Sequence, residues 1–384
     1  ADLPSFHDWL AHTSYKPKRK EYLHRVWESA TALDDRVCVC DSFMKAEIYQ
    51  ARTKNPRAIN SYSDTSKVVL GPLFHCIDKA TFKSKFFVKG TNPRDWPERV
   101  SQLFGERSVI STDFTSFEAH HRGPFAEVVH GWFVHMTQNL ELDEGRKSLV
   151  RRLMLGRNII KFKHLNVECD QRLMSGALWT SSANGVLNLL INAYLATEAA
   201  VGFADLDRAV RWALSDLRGL VEGDDGLFED HGQTDEAAEQ LGCVLKVERH
   251  GRCDGAGFCG IICDMTEMQI IKDPKKFLRG FFILPAKYRD AKPSVKDQLL
   301  RAKALSYYYS LSNCPVIGPV CYAVIQRTQG LHAKTEGVEA WKQAAVIDAV
   351  RERVWDKAPN VSIASRLLCQ REFGVDVAEQ MRVE

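Results

Sequence analysis

The sequence lacks a Cys-x-x-Cys pair, an uninterrupted apolar run of membrane-spanning length, an internal repeat and a low-complexity segment. Eleven cysteines scattered over 384 residues without that pairing argue for free thiols in a reducing compartment rather than a disulfide framework. The nearest approach to a zinc cluster is His250, Cys253, Cys259 and Cys263, and its spacing is irregular. The best apolar stretch, Val186 to Val201, is broken by Asn188, Asn192 and Glu198, so no membrane segment is expected in the chain. There is no signal peptide and the first residue is not Met. The sequence therefore reads as an excised piece of a larger product, with any membrane attachment outside it. A composition 45% hydrophobic and 26% charged excludes disorder over most of the length, and the length suffices for two or three subdomains.

What is present begins with charge. The chain carries a net +3, yet from Ser42 to Arg94 ten Lys and Arg stand against three Asp and Glu, a local +7. Such a segment is the electrostatic footprint of a phosphate-rich partner. A second basic cluster, Lys16 to Lys20, reads as a solvated face. The opposite sign concentrates in VEGDDGLFED, Val221 to Asp230, with five acids in ten positions. Asp225-Gly226 between apolar residues is by itself a signal for a type I′ hairpin. The adjacent Asp224 and Asp225 also suit a metal site.

Periodicity places these acids. Arg107 to Asp113 reads as a strand, Pro124 to Leu140 as an amphipathic helix, and Thr180 to Glu198 as a helix behind a Ser175-Gly176 loop. Residues 219–221 and 227–228 bracket the two aspartates as strand, turn, strand. Residues 235–241 form a helix capped by Thr234, with Asp235 and Glu236 favouring its dipole. Strands over 244–248 and 257–263 follow, and the last hundred residues look mostly helical. Asp113 at a strand end and Asp224 with Asp225 in a turn meet if their strands are neighbours. Carboxylates converging in that way can hold two cations about 3.5 to 4 Å apart for in-line phosphoryl displacement. Magnesium needs few carboxylates beside the substrate phosphates, and neither His nor Cys is required.

Ordered blocks then carry a family resemblance. S-T-D-F-T-S-F-E (Ser111 to Glu118) resembles motif A of viral RNA-dependent RNA polymerases, S-G-A-L-W-T-S-S-A-N (Ser175 to Asn184) resembles motif B, and Gly223-Asp224-Asp225 resembles motif C. G-C-V-L-K-V-E (Gly242 to Glu248) is similar to motif D, and Gly257-Phe258-Cys259-Gly260 to the hairpin of motif E. F-M-K-A-E (Phe43 to Glu47) and K-N-P-R-A-I (Lys54 to Ile59) are similar to the basic motif F. A lone Gly-Asp-Asp carries a high false-positive risk; motif B fixes four residues at set offsets and is far more specific. The style of the blocks is most similar to tombusvirus-like polymerases of positive-strand RNA viruses. The resemblance spans roughly residues 40–275.

The resemblance implies roles. Asp113 and Asp224 would be the metal ligands for two Mg²⁺, with Mn²⁺ the alternative, Asp225 auxiliary and the Phe114 carbonyl a further oxygen. Lys45, Arg52, Lys54 and Arg57 would line the nucleotide channel. Arg57 is suited to the triphosphate, because a guanidinium offers two parallel hydrogen bonds, or else is a surface arginine. Lys246 is either a general acid for departing pyrophosphate or a strand lysine in water. Glu118, Ser175 and Asn184, with Thr180 adjacent, would select ribose through its 2′-hydroxyl; Glu118 stands where the family more typically has Asp. Gly176 would give its loop a residue free to take positive φ, or mark an ordinary turn before a helix. Glu222, Glu229 and Asp230 read as solvated flanks.

The implied fold is α+β, a right hand whose palm carries an antiparallel sheet: fingers over 1–94, palm over 95–120, a fingers insertion over 121–164, palm again over 165–273 and a helical thumb over 274–384. The implied activity is template-directed RNA synthesis from ribonucleoside triphosphates on a viral RNA template, started without a protein primer. Its setting would be the host-cell cytoplasm, at replication membranes reached through other segments or other viral replication proteins. The alternatives are a catalytically silent RNA-binding scaffold, disfavoured by the complete set of acids, and a reverse transcriptase, disfavoured by the motif B residues.

Overall fold

A computed structural model describes residues 3–30, 35–45 and 56–384 of the chain. Helices α1 (Phe6–His12) and α2 (Pro17–Ser29) precede strands β1 (Val39–Met44) and β2 (Ala58–Tyr62), then α3 (Asp64–Thr81), α4 (Trp96–Phe104) and β3 (Val109–Phe114). Helices α5 (Pro124–Thr137) and α6 (Glu144–Leu155) lead to β4 (Arg157–Lys161) and β5 (Asn166–Asp170). Next come α7 (Thr180–Ala200), α8 (Leu206–Ser215), β6 (Gly219–Glu222), β7 (Asp225–Glu229), α9 (Asp235–Gln240) and β8 (Leu245–His250). Strands β9 (Gly257–Phe258), β10 (Ile261–Asp264) and β11 (Gln269–Ile271) are followed by α10 (Pro274–Phe281), α11 (Pro293–Leu311), α12 (Ile317–Arg327), α13 (Ala340–Arg351), α14 (Ile363–Phe373) and α15 (Val377–Val383). Helices alternate with antiparallel and mixed sheets along the chain, which is compatible with an α+β organisation. No described helix is long and apolar enough to cross a membrane.

Two compact units divide the chain: residues 1–90 with 112–248, and residues 91–111 with 249–384. In the first, a mixed sheet of order β2-β1-β4-β5 pairs β1 antiparallel with β2 and parallel with β4. Strands β6, β7, β3 and β8 form a second sheet in that order, and α7 packs on β6 and β7. The core beneath α7 is aromatic: the fully buried Trp179 stacks on Phe74 with ring centroids 4.4 Å apart and on Tyr62 at 5.6 Å. Burying each such ring stabilises the fold by roughly 1.5–3 kcal/mol, so the first turn of α7 is anchored from β2 and α3 together. The basic run at Lys16 to Lys20 is not a purely solvated face, because Arg19 grips the Asp64 carboxylate at the start of α3 with two N–H groups.

The second unit holds the sheet β11-β10-β9 and α10 to α15. The stretch 257–263, read as a strand from its pattern, forms a hairpin of β9 and β10 at the Gly257-Phe258-Cys259-Gly260 block, where the motif E resemblance implied one. Cys259 and Gly260 form its two-residue turn, both with positive φ (54° and 69°), the backbone that a type I′ turn requires. Helix α11 packs against α12 and α13, and its buried Arg301 donates to the Ile325 carbonyl at 2.8 Å and the Thr328 carbonyl at 3.1 Å.

Candidate active site

The acidic hairpin is built as strand, turn, strand, with a different turn from the one its Asp-Gly suggests. Glu222 faces Asp225 in the β6–β7 register, so the two loop residues are Gly223 and Asp224. Positive φ occurs at Gly223 (61°) and not at Asp224, the pattern of a type II′ turn rather than type I′. Asp224 therefore stands on the turn and Asp225 begins β7.

The turn is set from helix α7. Asn188, fully buried, donates through Nδ2 to the Gly223 carbonyl at 3.1 Å and to the Asp225 carbonyl at 3.0 Å, gripping the backbone on either side of Asp224. Asn192, one turn further on, donates to Asn188 Oδ1 at 2.7 Å and so fixes which way the Asn188 amide faces. Gly226 brings β7 against β3, because a Cβ there would collide with Thr112 Oγ1. Thr112 directly precedes Asp113, the only residue of β3 whose side chain is exposed. The neighbouring strands thus carry Asp113 and Asp224 to one place. In the sequence Asn188 and Asn192 read only as interruptions of an apolar run. Their spacing with Asn184, every fourth position in an apolar helix, is the signal that marks them.

The electrostatics agree with this convergence. Burial raises the Asp113 carboxyl above its ordinary value, and the Asp224 charge raises it further, against the pull of Lys246. Asp224 is likewise raised by burial and by Glu118, while its own backbone N–H and the Arg57 guanidinium oppose the rise. Asp113 thus feels Asp224 and Lys246, and Asp224 feels Glu118 and Arg57. Two carboxylates that repel each other in partly desolvated surroundings could hold a divalent cation, which would relieve the cost of their ionisation. Among the described residues no three His, Cys, Asp or Glu side chains form a closed metal cage, the His250, Cys253, Cys259 and Cys263 set included. His250 instead bonds Ser111 Oγ at 2.9 Å.

Motif by motif, the remaining residues divide. Past β3 the chain reverses at Ser116, in left-handed conformation (φ 54°), into a 3₁₀ turn over Phe117–Ala119 that carries half-buried Glu118. The turn is held by Phe117 stacked on Phe114 at 3.9 Å, so the Phe114 side chain is structural and only its carbonyl is a candidate ligand. Ser175 Oγ accepts from the Asn60 N–H and donates to the Ala58 carbonyl, both at 3.1 Å, stitching the loop before α7 to β2. Thr180 Oγ1 is engaged with the Met174 carbonyl at 2.8 Å and the Ala177 carbonyl at 2.9 Å, closing that loop from within. Gly176 does not use positive φ. Its backbone N–H bonds the Asn60 carbonyl at 2.9 Å, and a Cβ would lie 2.8 Å from that oxygen, so close approach to β2 is what requires glycine. Asn184 is buried and bonded to His121, a residue outside every block read from the sequence.

Among the basic residues, Lys45 and Arg57 are exposed neighbours just beyond the open end of the β1–β2 pair, the Lys45 N–H donating to the Arg57 carbonyl at 2.9 Å. Arg52 and Lys54 lie outside the described residues. Lys246 is exposed on β8 in an ion pair with Glu248, and that pairing, with Asp113 beyond it, holds its ammonium above the ordinary lysine value. Glu222 and Glu229 are not merely solvated: Glu222 pairs with Lys89 at 2.7 Å, and Glu229 with Arg218 at 3.0 Å. Compared with known proteins, the chain matches no protein-family model and no curated protein.

Proposed function

We propose that the chain is an RNA-dependent RNA polymerase acting on ribonucleoside triphosphates and an RNA template with its nascent strand, in a right-hand arrangement whose palm is the β6-β7-β3-β8 sheet. The observation that carries this reading is the meeting of Asp113, from a strand end, with Asp224, from a clamped hairpin turn, within reach of Glu118 and Arg57. The order of motif-like blocks supports it, since chance rarely sets four residues of one block between two others.

Asp113 and Asp224 would hold two Mg²⁺, with Asp225 and the Phe114 carbonyl as additional oxygens. Bound there, the ions would acidify the 3′-hydroxyl and neutralise charge on the leaving pyrophosphate. The chain's own groups do the rest. Arg57 and Lys45 neutralise and orient the triphosphate. Lys246, kept charged by Glu248 and Asp113, has a proton to give to the departing pyrophosphate. Glu118, Ser175 and Asn184 border the sugar, with Thr180 holding the loop that carries Ser175.

Primer extension on an RNA template with Mg²⁺ and either ribo- or deoxynucleotides tests the reading. Templated incorporation of ribonucleotides is expected. RNA binding without incorporation would instead identify a silent scaffold, and a preference for deoxynucleotides a reverse transcriptase.

A further inference from the structure

Asn184 and His121 form a buried pair that no block of the sequence joins: Asn184 Oδ1 lies 2.8 Å from His121 Nε2, the side chains being 5% and 3% exposed. His121 follows Glu118 by three residues and is braced edge-on against Phe117, with centroids 5.5 Å apart. Asn184 stands one helical turn before Asn188, on the face of α7 that grips the backbone around Asp224. The bond therefore ties the segment carrying Glu118 to the helix that sets the catalytic turn.

We infer that His121 is a positioning residue for sugar selection: its Nε2–H donates to Asn184 Oδ1, and this turns the Asn184 amide N–H groups toward the nucleotide. The inference rests on the polymerase reading above. Burial pushes the His121 imidazolium down to about 4, so at neutral pH the ring carries a single N–H and that donor is spent on Asn184. Among the described residues the Asn184 Nδ2 has no hydrogen-bond partner, and it is not one of the sealed, unpartnered polar atoms. It is thus available to a ligand. A ribose 2′-hydroxyl both donates and accepts, so it matches a site presenting an amide donor from Asn184 and a carboxylate acceptor from Glu118. A deoxyribose leaves both unpaired, which is the arrangement that rejects an analogue most strongly.

The test is kcat/KM for single incorporation of a ribonucleotide and its deoxy counterpart on an RNA primer–template with Mg²⁺, for the wild-type chain, His121→Leu, His121→Gln and Asn184→Asp. His121→Leu is expected to lower the ribonucleotide value about tenfold or more while leaving the deoxynucleotide value within about twofold, collapsing the ratio. His121→Gln, which keeps a side-chain N–H donor, recovers most of it. Asn184→Asp retains the acceptor for His121 but deletes the amide donor, and it reproduces the loss even if His121→Leu fails to fold. A wild-type ratio in His121→Leu or Asn184→Asp, or an equal fall for both nucleotides, overturns the inference and leaves the polymerase reading standing. Failure of the wild-type chain to incorporate either nucleotide overturns that reading and the inference with it.

Discussion

Replacing Asn188 by alanine removes a side chain that grips the backbone on both sides of Asp224 in the acidic turn. Two buried donations are lost, to the Gly223 carbonyl at 3.1 Å and the Asp225 carbonyl at 3.0 Å, together with the acceptor that Asn192 uses at 2.7 Å. At about 1 kcal/mol net per hydrogen bond, and more where a buried carbonyl is left unpaired, the loss amounts to about 2–4 kcal/mol. For a unit of this size that lowers Tm by roughly 5–12 °C. The effect on activity should exceed the effect on folding, because a catalytic group displaced by about 1 Å costs on the order of 100-fold. Urea unfolding gives the first quantity, and single-nucleotide incorporation, measured where the variant is fully folded, gives the second. Asn188→Asp sharpens the test: it keeps the shape but turns oxygens toward two carbonyl oxygens, so it should be worse than alanine. If Asn188→Ala loses less than about 0.5 kcal/mol and incorporates at the wild-type rate, the turn is held by something else.

Three further outcomes follow from the same geometry. Asp78 is mostly buried, one carboxylate oxygen has no partner, and burial raises its pKa from 3.8 to about 6 against the help of Ser182 and Lys89. A raised folded-state value means that protonation stabilises the fold below about pH 4 and that this stabilisation is lost as pH rises through about 6. Asp78→Asn should therefore stabilise the protein at pH 8 by about 1–3 kcal/mol and by almost nothing at pH 4; denaturation curves at the two pH values check the sign. Gly176→Ala places a methyl 2.8 Å from the Asn60 carbonyl oxygen and 2.9 Å from Ile59 Cγ2, so a loss of about 1–3 kcal/mol is expected in thermal or urea unfolding, and an unchanged stability would contradict the close approach. Mg²⁺ at ten times its Kd should stabilise the wild-type chain by about 1.4 kcal/mol relative to EDTA, and Asp113→Asn should abolish the gain; an equal shift in both proteins would place the cation elsewhere.

What the sequence disclosed was local. The acids of the hairpin, the strand ending at Asp113, the cap of α9 by Thr234 and the two-strand character of 219–229 all follow from neighbours a few positions apart, and each is present. The turn lies within the bracket expected between 221 and 227, but at Gly223 and Asp224 rather than at Asp225-Gly226, whose local chemistry is the better: Asn188, 35 residues away, fastens it there. Gly176 shows the same limit: the demand for glycine comes from Asn60 on another strand, not from its own φ. His121 lay hidden for a third reason. A histidine beside a motif looks like any other until its partner, 63 residues on, is known. The parallel pairing of β1 with β4 is equally invisible to periodicity, since alternation along one strand does not name its neighbour.

Asp113 and Asp224 are proposed to make one metal-dependent nucleotidyl-transfer site together. The most direct measurement is the rate of RNA-templated ribonucleotide incorporation by Asp224→Asn in Mg²⁺, alongside its affinity for the same RNA. Incorporation is expected to fall by several orders of magnitude with RNA affinity nearly unchanged. Incorporation near the wild-type rate would contradict the proposal.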